Sequence, residues 1–189
     1  GATATAEAVS LAYAQFRGKR RKVVISPTVH PQYRAVIRTY VQGMELELAG
    51  DDPNTDLDSQ PDDLANLIDD STSLLIVQYP DFFGRVYDYS KFIDDVHAKG
   101  ALVCVVANPT ALAMFKTPGA MGADIVVGDG QPLGIPMWYG GPSVGFFTTR
   151  KNMVHEMAGR LVGETVDSKG QRAYVLTLTA REQHIKRER

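Results

Sequence analysis

Short apolar runs rich in β-branched residues alternate along the chain with amphipathic segments. Several runs are apolar at consecutive positions, which is typical of strands that are buried on both faces of a sheet. The runs lie at residues 23–26, 44–48, 74–78, 102–106, 125–127 and 144–148. Each predicts one strand.

The segments between these runs have helical spacing, and a helical pattern also begins at the first residues of the chain. One apolar stripe follows Pro31, a favourable first helical residue. The stripes comprise Tyr33, Val36, Ile37, Tyr40 and Val41; Leu64, Leu67 and Ile68; and Tyr89, Phe92, Ile93 and Val96. Strands that alternate with helices predict an α/β fold of three layers, with a mostly parallel sheet between helices on both faces.

The alternation weakens beyond about residue 150. Residues 153–157 have a helical pattern, residues 174–179 favour a strand, and residues 180–189 are typical of a charged helix. We therefore expect residues 1–150 to form a large, partial α/β domain. Residues 151–189 are expected to continue toward, or form the edge of, a second, smaller domain. Because both ends lie inside helical patterns, the chain is expected to be a piece of a longer protein.

Composition and charge exclude several classes of function. The net charge of -2 and the balanced charge pattern give no basic surface for nucleic acid. No apolar stretch approaches the roughly 18 residues of a membrane span. The single cysteine, Cys104, lies in an apolar run and is expected to be a core residue of a reduced, cytoplasmic protein.

A glycine-rich segment at residues 128–134 follows a predicted strand and invites comparison with dinucleotide-binding loops. Its third glycine comes one residue late, and Pro132 and Pro136 remove backbone N–H groups that a phosphate-binding helix must offer. A glycine-rich turn after a buried strand is the favoured interpretation. The four histidines lack metal-site spacing, so no metal site is predicted.

The next segment, residues 135–142, surrounds the only tryptophan, Trp138, with glycines and prolines. Such a segment forms an irregular loop at the carboxyl edge of the sheet. There it serves either a functional site or a hydrophobic subunit interface. The residues alone leave both alternatives open.

Long motifs give the chain a resemblance to the glycine decarboxylase (P-protein) family of the glycine cleavage system. They lie at residues 1–4, 29–33, 78–84, 122–136, 139–142, 145–147, 159–167 and 176–188. The resemblance implies the fold of the large domain of fold type I pyridoxal-phosphate enzymes, similar to aspartate aminotransferase. It also implies decarboxylation of glycine and transfer of the aminomethyl group to the lipoyl arm of H-protein, with the cofactor as electron sink.

The chain departs from this family's cofactor-bearing half at two positions. With the family aligned on Ile135 and Pro136, Gln131 stands where the Schiff-base lysine belongs. In the earlier stretch at residues 105–108, Val105 stands where the acid that pairs with the pyridinium nitrogen belongs. The resemblance therefore implies the first, cofactor-free subunit, with no catalytic, cofactor-binding or metal-binding residue. Pyridoxal phosphate is expected in the second subunit, and the second subunit and H-protein are the expected partners.

Several residues remain candidates for lesser roles. By resemblance, Thr3 and Thr5 lie where active relatives receive the cofactor phosphate, although ordinary capping of the helix by small residues is favoured. By the same resemblance, His30 and Gln131 also correspond to cofactor-binding positions of active relatives, and we expect all four positions to be vestigial. The candidate interface residues are Trp138, Gly140, Gly141, Pro142, Arg160 and Arg181.

Two other functions remain open. One is a self-sufficient pyridoxal-phosphate enzyme that uses Lys116 or a lysine outside this chain. The other is a scaffold or docking module for the lipoyl carrier protein, in which the tail and the Trp138 loop are the surfaces of interest.

Overall fold

The computed structural model describes residues 1–52, 61–137, 139, 143–157 and 159–177. Four of its elements are α-helices: α1 (Ala2–Gln15), α2 (Pro31–Tyr40), α3 (Pro61–Leu64) and α4 (Ser90–Ala98). The strands are β1 (Lys22–Ile25), β2 (Glu47–Ala49), β3 (Thr72–Tyr79), β4 (Leu102–Ala107), β5 (Ile125–Asp129), β6 (Gly145–Thr149), β7 (Leu161–Val166) and β8 (Arg172–Thr177). Short 3-10 turns connect several of them.

Strands β1 to β6 form one sheet in the order β2-β1-β3-β4-β5-β6. All neighbouring strands are parallel except β5 and β6, which are antiparallel. The expected mostly parallel sheet is therefore confirmed. Parallel pairing brings the carboxyl ends of β1, β3, β4 and β5 to one edge of the sheet, which we call the carboxyl edge.

Both faces of the sheet are covered by hydrophobic cores, because successive residues of a strand point to opposite faces. Ile25, Ile76 and Cys104 point into a first core with α1 and α2. Val77 and Val105 point into a second core with α4. This arrangement explains why the sequence of these strands is apolar at consecutive positions, and it confirms the three layers.

Helix α1 is rich in alanine, which has the highest intrinsic helix propensity. Its buried residues Ala6, Ala8, Val9, Leu11 and Ala12 pack against the sheet. Small side chains let the helix approach the strands closely, so α1 lies against β5 and β6 at the centre of the first core. The position of its first turn is consequently fixed relative to the end of β5.

Three local predictions differ in part from the structure. The strand predicted at residues 44–48 begins only at Glu47, because Gly43 and Glu45 adopt positive φ angles that a strand does not allow. The stripe of Leu64, Leu67 and Ile68 belongs to one α-helical turn followed by a 3-10 turn, Ala65–Leu67. The helix predicted at residues 153–157 is a 3-10 segment, Lys151–Glu156.

The part of the chain after residue 150 contains a hairpin of β7 and β8 that the sequence predicted only in part. The strand predicted at residues 174–179 corresponds to β8, and β7 was missed because Gly163 interrupts its apolar pattern. Among the described strands, the two pair only with each other. The charged helix predicted at residues 180–189 lies outside the described residues, and the domain boundary at about residue 150 stays a prediction.

Cys104 is fully buried in the first core and free, as expected of a core residue. Burial raises the pKa of its thiol far above the ordinary value, so the group stays protonated. Within the described ranges, no helix has the length and apolarity to cross a membrane.

Replacement of Ile76 by alanine tests the central position of β3, since this side chain is fully buried in the first core. We expect the Ile76→Ala variant to lose about 2 to 5 kcal/mol of unfolding free energy, because the cavity left by the side chain is not refilled. Urea denaturation measures the loss. The control is Met114→Ala, at a side chain that is 83% exposed; an equal loss in both variants contradicts this packing.

Candidate functional site

An open cavity of about 150 Å³ lies at the carboxyl edge of the sheet. The loops and strand ends after β1, β3, β4 and β5 form its walls. Its lining comprises His30, Tyr33, Gln78, Pro80, Val106, Ala107, Asn108, Pro109, Gly128, Asp129 and Pro132. α/β folds of this kind place their ligands at this edge, so we take this cavity as the candidate site.

The floor of the cavity depends on Gly128 in β5. A Cβ atom at this position would lie 2.3 Å from the backbone oxygen of Ala107 and 2.5 Å from the ring of Phe146. Only glycine lets β4, β5 and β6 approach so closely here. The end of β5, with Asp129, is thereby held against its neighbouring strands.

His30 forms one wall of the cavity at the start of α2. Its backbone N–H donates to Oε1 of Gln78 (2.8 Å), and its Nδ1 accepts from the N–H of Gln32 (3.2 Å) as the cap of α2. The ring stacks on Tyr33 at 5.0 Å between centroids and meets the edge of Phe82 at 5.1 Å. The imidazole is therefore fixed on several sides.

Asp129 supplies the carboxylate in the cavity lining. Its Oδ1 accepts from the N–H of Gln131 (2.9 Å), and its Oδ2 lies 3.0 Å from the charged amino group of Gly1, the first residue of the sequence. Burial by itself would raise the pKa of Asp129. The hydrogen bond from the Gln131 N–H, the hydrogen bond and positive charge of the amino group of Gly1, where the sequence begins, and the Ser143 hydroxyl outweigh burial and hold this pKa below its ordinary value. The group is therefore a carboxylate at neutral pH.

The negative charge of Asp129 also affects the pKa of Tyr33. Burial raises the pKa of its phenol, and the neighbouring Asp129 carboxylate raises it further. The phenol is therefore neutral at physiological pH and can donate a hydrogen bond. The cavity thus combines one fixed negative charge with neutral aromatic and amide side chains.

Comparison with known proteins gives this site its context. The family model described as "Glycine cleavage system P-protein" matches residues 1–189. The chain belongs to the glycine cleavage system P-protein family. A relative from Thermomicrobium roseum, named "Probable glycine dehydrogenase (decarboxylating) subunit 1", is 46% identical over all of this chain and 42% of its own length. A relative of the same name from Desulforamulus reducens is 48% identical with the same coverage. The chain thus spans less than half the length of these relatives.

Solved structures agree with this membership and with the fold. A crystal structure of glycine decarboxylase (P-protein) in inhibitor-bound form matches with a TM-score of 0.79 and 43% identity, over 94% of this chain and 39% of that one. A NifS-like protein matches with a TM-score of 0.60 and 15% identity, over 79% of this chain and 40% of its own, which shows a shared fold alone. The expected fold class, the large domain of fold type I enzymes, is confirmed.

Of the four positions expected to be vestigial in this P-protein family member, only His30 lines the cavity. Thr5 is fully buried and its hydroxyl donates to the backbone oxygen of Gly1 (3.0 Å), whereas Thr3 is exposed and lies outside the lining. Gln131 is also outside the lining, because its Nε2 donates to the backbone oxygen of Ile135 (2.6 Å) within the same loop.

Val105 and Lys116 also lie away from the cavity lining. The Val105 side chain is fully buried in the second core, while the next residue, Val106, lines the cavity. Lys116 directs its Nζ to the Ser90 hydroxyl (2.6 Å) and to the Asp88 carboxylate (3.3 Å). No lysine occurs among the described residues that line the cavity.

Most of the expected interface residues are not described. Trp138, Gly140, Gly141, Pro142 and Arg181 lie outside the described residues, and Arg160 is exposed just before β7. Neighbours of the Trp138 loop are strongly exposed: Met137 is 87% and Tyr139 97% accessible. The interface role of these residues stays a prediction.

Sequence reasoning missed Tyr33, Gln78, Asn108 and Asp129 as lining residues. Gln78 is the penultimate residue of β3, Asn108 follows β4 and Asp129 ends β5, so polar residues at the carboxyl ends of buried strands were the available signal. Tyr33 was assigned to an apolar helical stripe, and only its position beside Asp129 shows a second role.

The lowered pKa of Asp129 predicts a pH-dependent effect of the Asp129→Asn substitution. A carboxyl group with a depressed folded-state pKa contributes stability above its unfolded pKa, and this contribution disappears as the pH falls through the folded pKa. We expect Asp129→Asn to unfold at lower urea than wild type at about pH 7, and the gap to shrink by about pH 3. Asp95→Asn, at an exposed position of α4, is the control. A gap equal at both pH values contradicts the prediction.

Proposed function

We propose that this chain is part of the cofactor-free first subunit of a glycine decarboxylase. In this proposal the active enzyme binds pyridoxal phosphate in its second subunit, decarboxylates glycine and passes the aminomethyl group to the lipoyl arm of H-protein. The observation that carries the proposal is the family membership combined with Gln131 at the position of the Schiff-base lysine. We propose that this enzyme acts in the cytoplasm.

The residues that line the cavity lack groups that pyridoxal phosphate requires, which supports this proposal. When bound, the cofactor supplies an electron sink, but it requires a lysine amine and an acid beside its ring nitrogen. The described lining residues include no lysine, and the position of the acid is taken by the buried Val105. The acid in the lining, Asp129, faces the N-terminus of α1, where a phosphate would need positive potential. These residues do not fit the cofactor.

The exposed side chains at the carboxyl edge support a heteromer. Phe82 is 46% and Phe83 51% exposed in the loop after β3, close to His30. Exposed aromatic residues around a cavity are typical of surfaces that a partner covers. We propose that the second subunit contacts this edge of the sheet.

Glycine–bicarbonate exchange tests the proposed role directly. The full-length first subunit is expected to give no exchange alone, and exchange above background only after its second subunit and H-protein are added, because it offers no Schiff-base amine. Exchange by the first subunit alone would overturn the assignment. The second subunit, assayed alone with H-protein, controls for independent activity.

A Gln131→Lys substitution in the full-length first subunit tests whether a lysine alone suffices. We expect no absorbance between about 410 and 430 nm after addition of pyridoxal phosphate, since the side chain at position 131 points into its own loop and Val105, buried in the second core, takes the expected position of the acid. Gln131→Met is the matched control. A borohydride-fixed adduct mapped to residue 131 contradicts this expectation.

A further inference from the structure

Three side chains of the cavity lining are held through their acceptor atoms. Oε1 of Gln78 accepts from the backbone N–H of His30 (2.8 Å), and Nδ1 of His30 accepts from the backbone N–H of Gln32 (3.2 Å). Oδ1 of Asn108 accepts from the backbone N–H of Thr110 (3.0 Å) and from the Thr110 hydroxyl (2.7 Å). Because a backbone N–H can only donate, these contacts decide which atom of each side chain is the acceptor.

The other polar atoms of the same three side chains are donors. An imidazole whose Nδ1 accepts carries its proton on Nε2, and each amide keeps the two N–H bonds of its NH2 group. Within the described part of the chain, these donors of His30, Gln78 and Asn108 have no acceptor. All three residues line the cavity. The cavity therefore offers neutral hydrogen-bond donors to a ligand.

The backbone holds the three donors at neighbouring strand ends. Gln78 is the penultimate residue of β3, and its side chain contacts the backbone of His30, directly before α2. Asn108 follows β4, and its N–H donates to the backbone oxygen of Tyr79, the last residue of β3 (3.2 Å). Parallel pairing in register thus fixes the donors relative to one another.

Volume and charge restrict the ligand that these donors can hold. About 150 Å³ equals the share of about five water molecules in the liquid, so a small molecule fits. Carboxylate oxygens accept several hydrogen bonds each and suit a set of donors. The described lining residues include the Asp129 carboxylate but no lysine or arginine that could balance a bound anion. A carboxylate ligand that brings its own ammonium group is therefore favoured over a simple anion.

We propose that the cavity is a non-catalytic binding site for a small zwitterionic amino acid, whose carboxylate accepts from His30, Gln78 and Asn108. With no lysine among the described lining residues, the amino acid is held by hydrogen bonds and charge alone. The inference goes beyond the proposed function, because it gives the first subunit a ligand of its own. It rests on that function in one respect, namely that pyridoxal phosphate does not occupy the cavity.

Equilibrium dialysis of the full-length first subunit against labelled glycine, the smallest zwitterionic amino acid, tests this site. We expect saturable binding of about one glycine per subunit, with a Kd of about 1 mM or lower. Unlabelled acetate and methylamine each carry only one of the two charged groups, and we expect them to compete at least about tenfold more weakly than unlabelled glycine. Absence of saturable binding, or acetate that competes as well as glycine, overturns the proposal.

Two substitutions convert a donor into an acceptor at nearly constant shape. Gln78→Glu and Asn108→Asp keep the oxygen that accepts from the backbone N–H but replace the NH2 group by a second oxygen. Each is expected to weaken glycine binding at least about tenfold, because repulsion replaces a hydrogen bond to the carboxylate. Asn152→Asp makes the same change at an exposed residue outside the lining and is expected to bind as wild type.

Asn108→Ala removes the donor without adding a charge, so it keeps the test valid where a charged variant does not fold. It is also expected to weaken glycine binding, and circular dichroism checks that each variant is folded. Equal glycine affinity in wild type and in the folded Gln78 and Asn108 variants overturns the proposed role of these donors, as does an equal loss in Asn152→Asp.

A further measurement separates this inference from the proposed function. Wild-type first subunit is incubated with pyridoxal phosphate, reduced with borohydride and analysed by mass spectrometry. Stoichiometric attachment of the cofactor to one lysine overturns the proposed function itself. A wild type that takes up neither the cofactor nor glycine overturns the amino-acid site alone.

Discussion

Parallel pairing of the central strands places Tyr79 beside Ala107 and Ala107 beside Gly128. Tyr79 and Ala107 are the last residues of β3 and β4, and Gly128 is the penultimate residue of β5. Because the strands are in register, the residues that follow them emerge at one edge and share one cavity. Two hydrophobic cores hold this register, since each central strand is buried on both faces. The composition of the site therefore follows from which residues occupy these strand ends.

The charge of the cavity follows from the same geometry. Gly128 allows β5 to approach β4, and the next residue, Asp129, is thereby directed to the start of α1. A carboxylate that caps a helix from a neighbouring strand links two elements that are distant in the sequence.

The backbone arrangement is shared with a solved P-protein structure, and the side chains of this chain make specific contacts within it. Relatives named glycine dehydrogenase (decarboxylating) subunit 1 match along the entire chain, and the P-protein crystal structure shares the backbone arrangement. In this chain Gln131 is tied to its own loop and Val105 is buried in the second core. A shared fold does not by itself fix the chemistry of the groups that it carries.

The sequence by itself determined the fold class, since consecutive apolar residues and helical stripes are local patterns that burial imposes directly. It also determined the family, because long motifs do not depend on contacts, and it identified the position of Gln131 by alignment. Only the tertiary structure decided that Gln131 turns toward Ile135, that Val105 faces the second core, and that Asp129 meets α1. These facts depend on the register of strands and on contacts between residues up to 128 positions apart. Such contacts leave no periodic trace in the sequence.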